Sequence, residues 1–110
     1  MLVSPAFAMN GANSRYQISL AEWSFHKALF ADEMTNLEFP KVTRELGIDG
    51  VEYVNQFFKD KAKDEKYLGE LKKIAKNEGV TNVLIMCDGE GMVGHPEKAE
   101  RVKTVENQKK

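Results

Sequence analysis

The chain has 110 residues, 42% of them apolar, and a formal net charge of −1. That length holds one small domain or part of a larger one, and the apolar share excludes disorder throughout. The balance of 16 Lys and Arg against 17 Asp and Glu argues against a duplex nucleic-acid binder. No apolar run approaches the ~20 residues that span a bilayer, and the single cysteine excludes an intrachain disulfide and a multi-cysteine zinc site.

Residues 1–8 (MLVSPAFA) are apolar and end in Ala6-Phe7-Ala8, the spacing of small residues that signal peptidase cleaves. They read as the tail of an export signal lacking its charged start, with a plain N-terminal tail as the alternative. Residues 9–15 read as a flexible linker, with Asn10-Gly11 and Asn13-Ser14 as its turn-prone residues.

Residues 16–25 (YQISLAEWSF) form the first expected strand. Alternation places Ser19, Ala21, Trp23 and Phe25 on one face and Ile18, Leu20, Glu22 and Ser24 on the other. A loop or short helical turn is expected over 26–34. Thr35-Asn36 reads as an N-cap for a helix over 37–46, with Pro40 tolerated in its first turn and Gly47 as its stop. Leu37, Val42 and Leu46 are its expected buried side. Residues 48–54 (IDGVEYV) are the second strand, and 55–63 a loop carrying Phe57 and Phe58.

Asp64 is placed to cap a helix over 65–78. In it Tyr67, Leu68, Leu71, Ile74 and Ala75 recur at helical spacing, and Gly79 ends it. Residues 80–86 (VTNVLIM) are the third strand, and their nearly continuous apolar run predicts burial on both faces. Residues 87–91 (CDGEG) form a loop. Pro96 is expected at the first position of a last helix, which no Gly, Pro or Asn closes before Lys110. The order β-α-β-α-β-α defines an α/β fold, either an open doubly wound sheet or one arc of a closed barrel.

In both architectures ligands gather at the carboxyl ends of strands, which singles out residues 23–26, 53–56 and 87–90; Trp23, His26, Cys87 and Asp88 from these spans, together with Glu52 inside the second strand, are the candidate substrate-binding residues. Trp23 either walls a sugar ring or packs in the core. His26 either binds substrate and relays a proton or is a surface histidine, since imidazoles exchange protons near neutral pH. Glu52 interrupts an apolar strand and needs a polar cavity or an ion-pair partner. Asp88 either takes a hydroxyl or a metal-bound water, or caps the turn made by Gly89. Cys87 reads most simply as a small buried hydrophobe. Gly89, Gly91 and Gly94 do not compose a dinucleotide fingerprint, which follows a first strand and opens a helix at once.

The segments ISLAEWSFH, FPKVTRELGIDGVEYV, NVLIMCDGEG and PEKAERVKTVEN resemble the opening of a xylose isomerase-like TIM barrel, the sugar phosphate isomerase/epimerase group. The resemblance spans residues 16–110 and implies an N-terminal part of that barrel, a partial TIM (β/α)8 barrel holding its first three β/α units. It implies a metal-dependent isomerase or epimerase of carbohydrate metabolism, inactive as this segment alone. The implied reaction is proton abstraction next to a carbonyl of a sugar or sugar phosphate. The family's divalent metal (Mn, Mg, Co or Zn) is held by Glu, Asp, His and Glu from later strands, so no residue here inherits a ligand role. Catalytic residues stay unassigned. Exported bacterial members fit the signal remnant and imply a periplasmic or secreted protein, with homo-oligomers among the expected states and neither nucleic acid nor membrane among its partners.

Three other readings stand beside this one. A lyase or hydrolase of oxidised glycosides shares the same barrel. The endonuclease IV branch takes histidines from early strand ends, where this chain has Asn55-Gln56 and Cys87-Asp88. A self-contained small α/β binding module, receiver-like, wants paired acids after its first strand, where Trp23-Ser24-Phe25 stands instead.

Overall fold

Three short parallel strands alternate with four helices in a computed structural model that describes residues 16–109. The expected export signal (1–8) and linker (9–15) lie outside the described residues. Strand β1 is Ser19–Ala21, β2 is Gly50–Val54 and β3 is Thr81–Met86. Helix α1 is His26–Phe30, α2 is Phe39–Glu45, α3 is Glu65–Glu78 and α4 is Lys98–Gln108. The sheet order is β1-β2-β3, all parallel.

The first strand is shorter than expected. It breaks at Glu22, where a 3-10 turn, Glu22–Phe25, takes over and leads straight into α1. Trp23 and Phe25 therefore belong to a turn at the strand's end, not to a pleated face. A second 3-10 turn, Asn55–Phe58, follows β2 in the same way.

Helix α2 starts at Phe39 with Glu38 as its N-cap, and Pro40 sits in its first turn where a missing N–H costs nothing. Thr35 does not cap it. Its N–H and hydroxyl instead donate to Glu38 Oε2, at 2.8 and 2.9 Å. Asn36 is drawn away to donate to the Phe57 carbonyl, 2.8 Å. The helix buries Phe39, Pro40 and Thr43, whereas Leu46, an expected core residue, is exposed. Helix α3 follows its sequence pattern closely. The Asp64 carboxylate accepts from the Tyr67 N–H at 3.0 Å, and Gly79 closes the helix in the left-handed conformation that favours glycine.

Helices α2 and α3 touch each other and pack on the same face of the sheet. Phe39 and Leu71 meet Val51, Tyr53, Phe58 and Val80 there. Each such buried side chain contributes roughly 1.5–3 kcal/mol of hydrophobic stabilisation. Phe25–Phe39, Phe39–Tyr53 and Tyr53–Phe58 edge-to-face contacts run through this core.

Two expectations fail in the last third of the chain. Strand β3 is exposed at all six positions, with Val83, Leu84 and Ile85 each about half accessible. Its composition suits burial on both faces, but among the described residues only β2 pairs with it, and its contacts with α3 leave its side chains exposed. Pro96 is not helical either: Glu97 is the N-cap and α4 begins at Lys98. The helix leans on its own approach loop. Arg101 donates to the carbonyls of His95 and Pro96, Asn107 donates to that of Glu90, and Thr104 is buried against Gly91. Between β3, α3 and α4 lies a cleft of about 580 Å³ floored by Tyr53, Leu71 and Ile85.

Candidate functional site

The carboxyl ends of the three strands carry a rim of aromatic and amide side chains. At the end of β1, Trp23 stacks on His26 (centroids 4.8 Å apart, planes 11° apart) and lies 6.0 Å from both Phe30 and Phe57. Phe30 and Phe57 meet at 5.1 Å. The two 3-10 turns produce this cluster, because each carries its aromatic residue just past a strand end. Trp23 keeps 41% of its surface exposed and Phe30 59%, so these two form a platform at the surface, which Phe57 joins to the core.

The His26 Nδ1 proton is donated to the Trp23 carbonyl at 2.8 Å. A carbonyl only accepts, so in the neutral ring Nε2 is the unprotonated nitrogen. His26 is thus held in one tautomer with a basic nitrogen pointing away from its own backbone bond.

Asn55 opens the turn after β2 and clamps the loop after β3. Its Nδ2 donates to the Asp88 carbonyl (2.9 Å) and to Glu90 Oε1 (3.3 Å), and its Oδ1 accepts from the Asp88 N–H (3.0 Å). This two-way pairing of an amide with a backbone unit places Asp88 beside the end of β2. Cys87 is exposed, not buried as its residue type suggested, and its thiol leans toward the Ile85 carbonyl at 4.0 Å.

Glu52 lies on the sheet face opposite the helices. Its register partners are Ala21 and Leu84, and Ser19 donates to its Oε1. A register shift between Val51 and Glu52 leaves Val83 as an extra residue on β3. The structure therefore brings Trp23 and His26 together, sets Asp88 and Cys87 at the end of β3, and leaves Glu52 on a separate face with Ser19.

Sequence reasoning missed Glu22. It continues the alternation of Ile18 and Leu20 and so turns to the helix side, where it is fully buried. Its Oε2 accepts from the Val54 N–H at 3.0 Å, while its Oε1 has no partner among the described residues. Burial pushes its pKa up to about 7, against the smaller lowering effect of the Val54 bond. Burial, and then the nearby Glu22, also raise the pKa of the Tyr53 phenol, which donates to Asn82 Oδ1 at 2.8 Å. An acid inside an apolar alternation was the available signal. Asn55 fell within the strand-end span 53–56 but was not itself named as a candidate.

Among the described residues no group of three or more His, Cys, Asp and Glu is arranged to hold a metal ion. No helix among them is long and apolar enough to cross a membrane. The sequence matches no model of a known protein family and no curated protein.

Proposed function

We propose that this chain is the opening part of a sugar or sugar-phosphate isomerase/epimerase barrel, whose reaction is proton abstraction next to a carbonyl. The observation that carries the reading is the sheet itself. Its strands run β1-β2-β3 in parallel with α2 and α3 on one face. A doubly wound sheet reverses its strand order and places helices on both faces, whereas a barrel continues in order with helices outside. In a barrel the opposite face becomes the interior, and that face carries the Glu52–Ser19 pair.

The rim supports a carbohydrate ligand. Half-exposed Trp23, with the His26 ring stacked on it and Phe57 beside it, offers an exposed apolar surface for the C–H groups of a pyranose or an open-chain sugar. His26 Nε2 and the Asp88 carboxylate supply hydrogen-bonding groups for its hydroxyls. The metal of such a barrel polarises carbonyl and hydroxyl oxygens, and its ligands belong to strands other than β1, β2 and β3. Export to the periplasm or exterior, read from residues 1–8, is part of the same proposal.

The reading frame beyond Lys110 tests it. Five further strand–helix units with Glu, Asp, His and Glu at strand ends are expected, and the protein they complete should exchange solvent deuterium into an aldose or ketose. A frame that adds no such units refutes the barrel. Turnover of oxidised glycosides without deuterium exchange assigns the barrel to a lyase or hydrolase instead.

A further inference from the structure

We propose that Glu22 is a proton-controlled positioning residue: loss of its buried proton loosens the turn that presents Trp23 and His26 at the rim. The inference concerns the rim itself and stands whether or not a sugar is its ligand.

Glu22 is the first residue of the 3-10 turn whose second residue is Trp23, and the turn packs against β2 and α1. The carboxyl has zero exposure and a single hydrogen bond, from the Val54 N–H, which ties the end of β1 to the end of β2. Its second oxygen is buried without a partner among the described residues. A neutral acid tolerates that environment at modest cost, but an unpaired carboxylate in an apolar site is far more costly. Once ionised, Glu22 relieves the cost only by turning toward water, which breaks the Val54 bond and moves the turn.

Among the described residues no cation is paired with it; the nearby Lys61 sits over the Tyr67 ring instead. From β2 it faces the Tyr53 phenol, while Glu52 of the same strand is engaged by Ser19 on the opposite sheet face. From α3 the nearby titratable group is Tyr67, whose pKa is raised first by burial, with Glu22 adding to the rise. From α1 the groups are His26, bonded to the Trp23 carbonyl, and the exposed Lys27. Among the described residues no ion pair reaches Glu22.

Trp23 is the only tryptophan of the chain, so its emission reads the turn directly. The experiment is a fluorescence titration of the full chain from about pH 5 to about pH 9, with His26, stacked on the indole, as the control position. The parent should show a transition centred near pH 7. Glu22→Gln should abolish it and His26→Asn should retain it. A transition lost in His26→Asn but kept in Glu22→Gln overturns the proposal, as does a parent with no transition. If Glu22→Gln fails to fold by circular dichroism, carbon-13 NMR of the Glu22 carboxyl in the parent decides. A midpoint near 7 accompanied by shifts in the Trp23 indole resonance supports the proposal. A midpoint in the ordinary carboxylate range, or an indole that does not respond, refutes it.

Discussion

A carboxylic acid sealed at the end of a strand makes folding depend on pH with a fixed sign. The folded-state pKa of Glu22 is about 7, against 4.5 for an unperturbed glutamate. In that window the unfolded chain releases the proton while the folded chain holds it. The contribution to stability is therefore intact below pH 4.5 and falls as pH rises, levelling off above about 7. Urea unfolding of the parent and of Glu22→Gln at several pH values should show their difference changing by at most about 3 kcal/mol across the window. A second residue-scale effect sits at Gly91, which has φ 112° and would bring a Cβ within 2.3 Å of Thr104 Oγ1. Gly91→Ala should cost about 1–3 kcal/mol of local stability. The measurement is proteolytic cleavage within α4, which should become faster while the rest of the chain stays resistant. From sequence, Glu22 was placed on the face of Ile18 and Leu20 without being marked as a site, and Gly91 was placed in the loop after the third strand. The close approach of Thr104 was not visible, because it depends on where α4 settles.

Among the elements, α3 was the most legible, since cap, apolar stripe and terminal glycine all agree. Asp64→Ala should cost about 1 kcal/mol in chemical denaturation, because it removes the bond to the Tyr67 N–H. Strand β2 was legible for the same reason: Val51, Tyr53 and Val54 are buried as their composition implies. The rim was only half legible. Trp23 and His26 were named from their place after a strand, but the turns that swing Trp23 against Phe57 have no periodicity to announce them. At the other end of the chain, Pro96 satisfied a helix-start rule that the extended Glu97 took over. The burial assigned to β3 from its apolar run required neighbours on both faces, and composition alone does not supply them.

For the molecule as a whole, the exposed β3 sets the expected behaviour in solution. Among the described residues, Val83, Leu84, Ile85 and Met86 form the free edge of the sheet with exposed apolar side chains, and α4 adds exposed Val102 and Val105. Such surfaces self-associate. Size-exclusion chromatography should find the chain larger than a monomer at moderate concentration. The double variant Leu84→Glu, Ile85→Lys should shift it toward monomer, with thermal stability changed by no more than about 0.5 kcal/mol per site because both positions are already wet. A monomeric parent with a single cooperative transition would count against the barrel-segment reading.

Cys87, the chain's sole thiol, stands exposed where β3 ends and the clamped loop begins. One dye or nitroxide can therefore be attached there without mutagenesis. Paired with the lone indole at the end of β1, it spans the mouth of the sheet and turns the gap between first and third strand ends into an optical ruler.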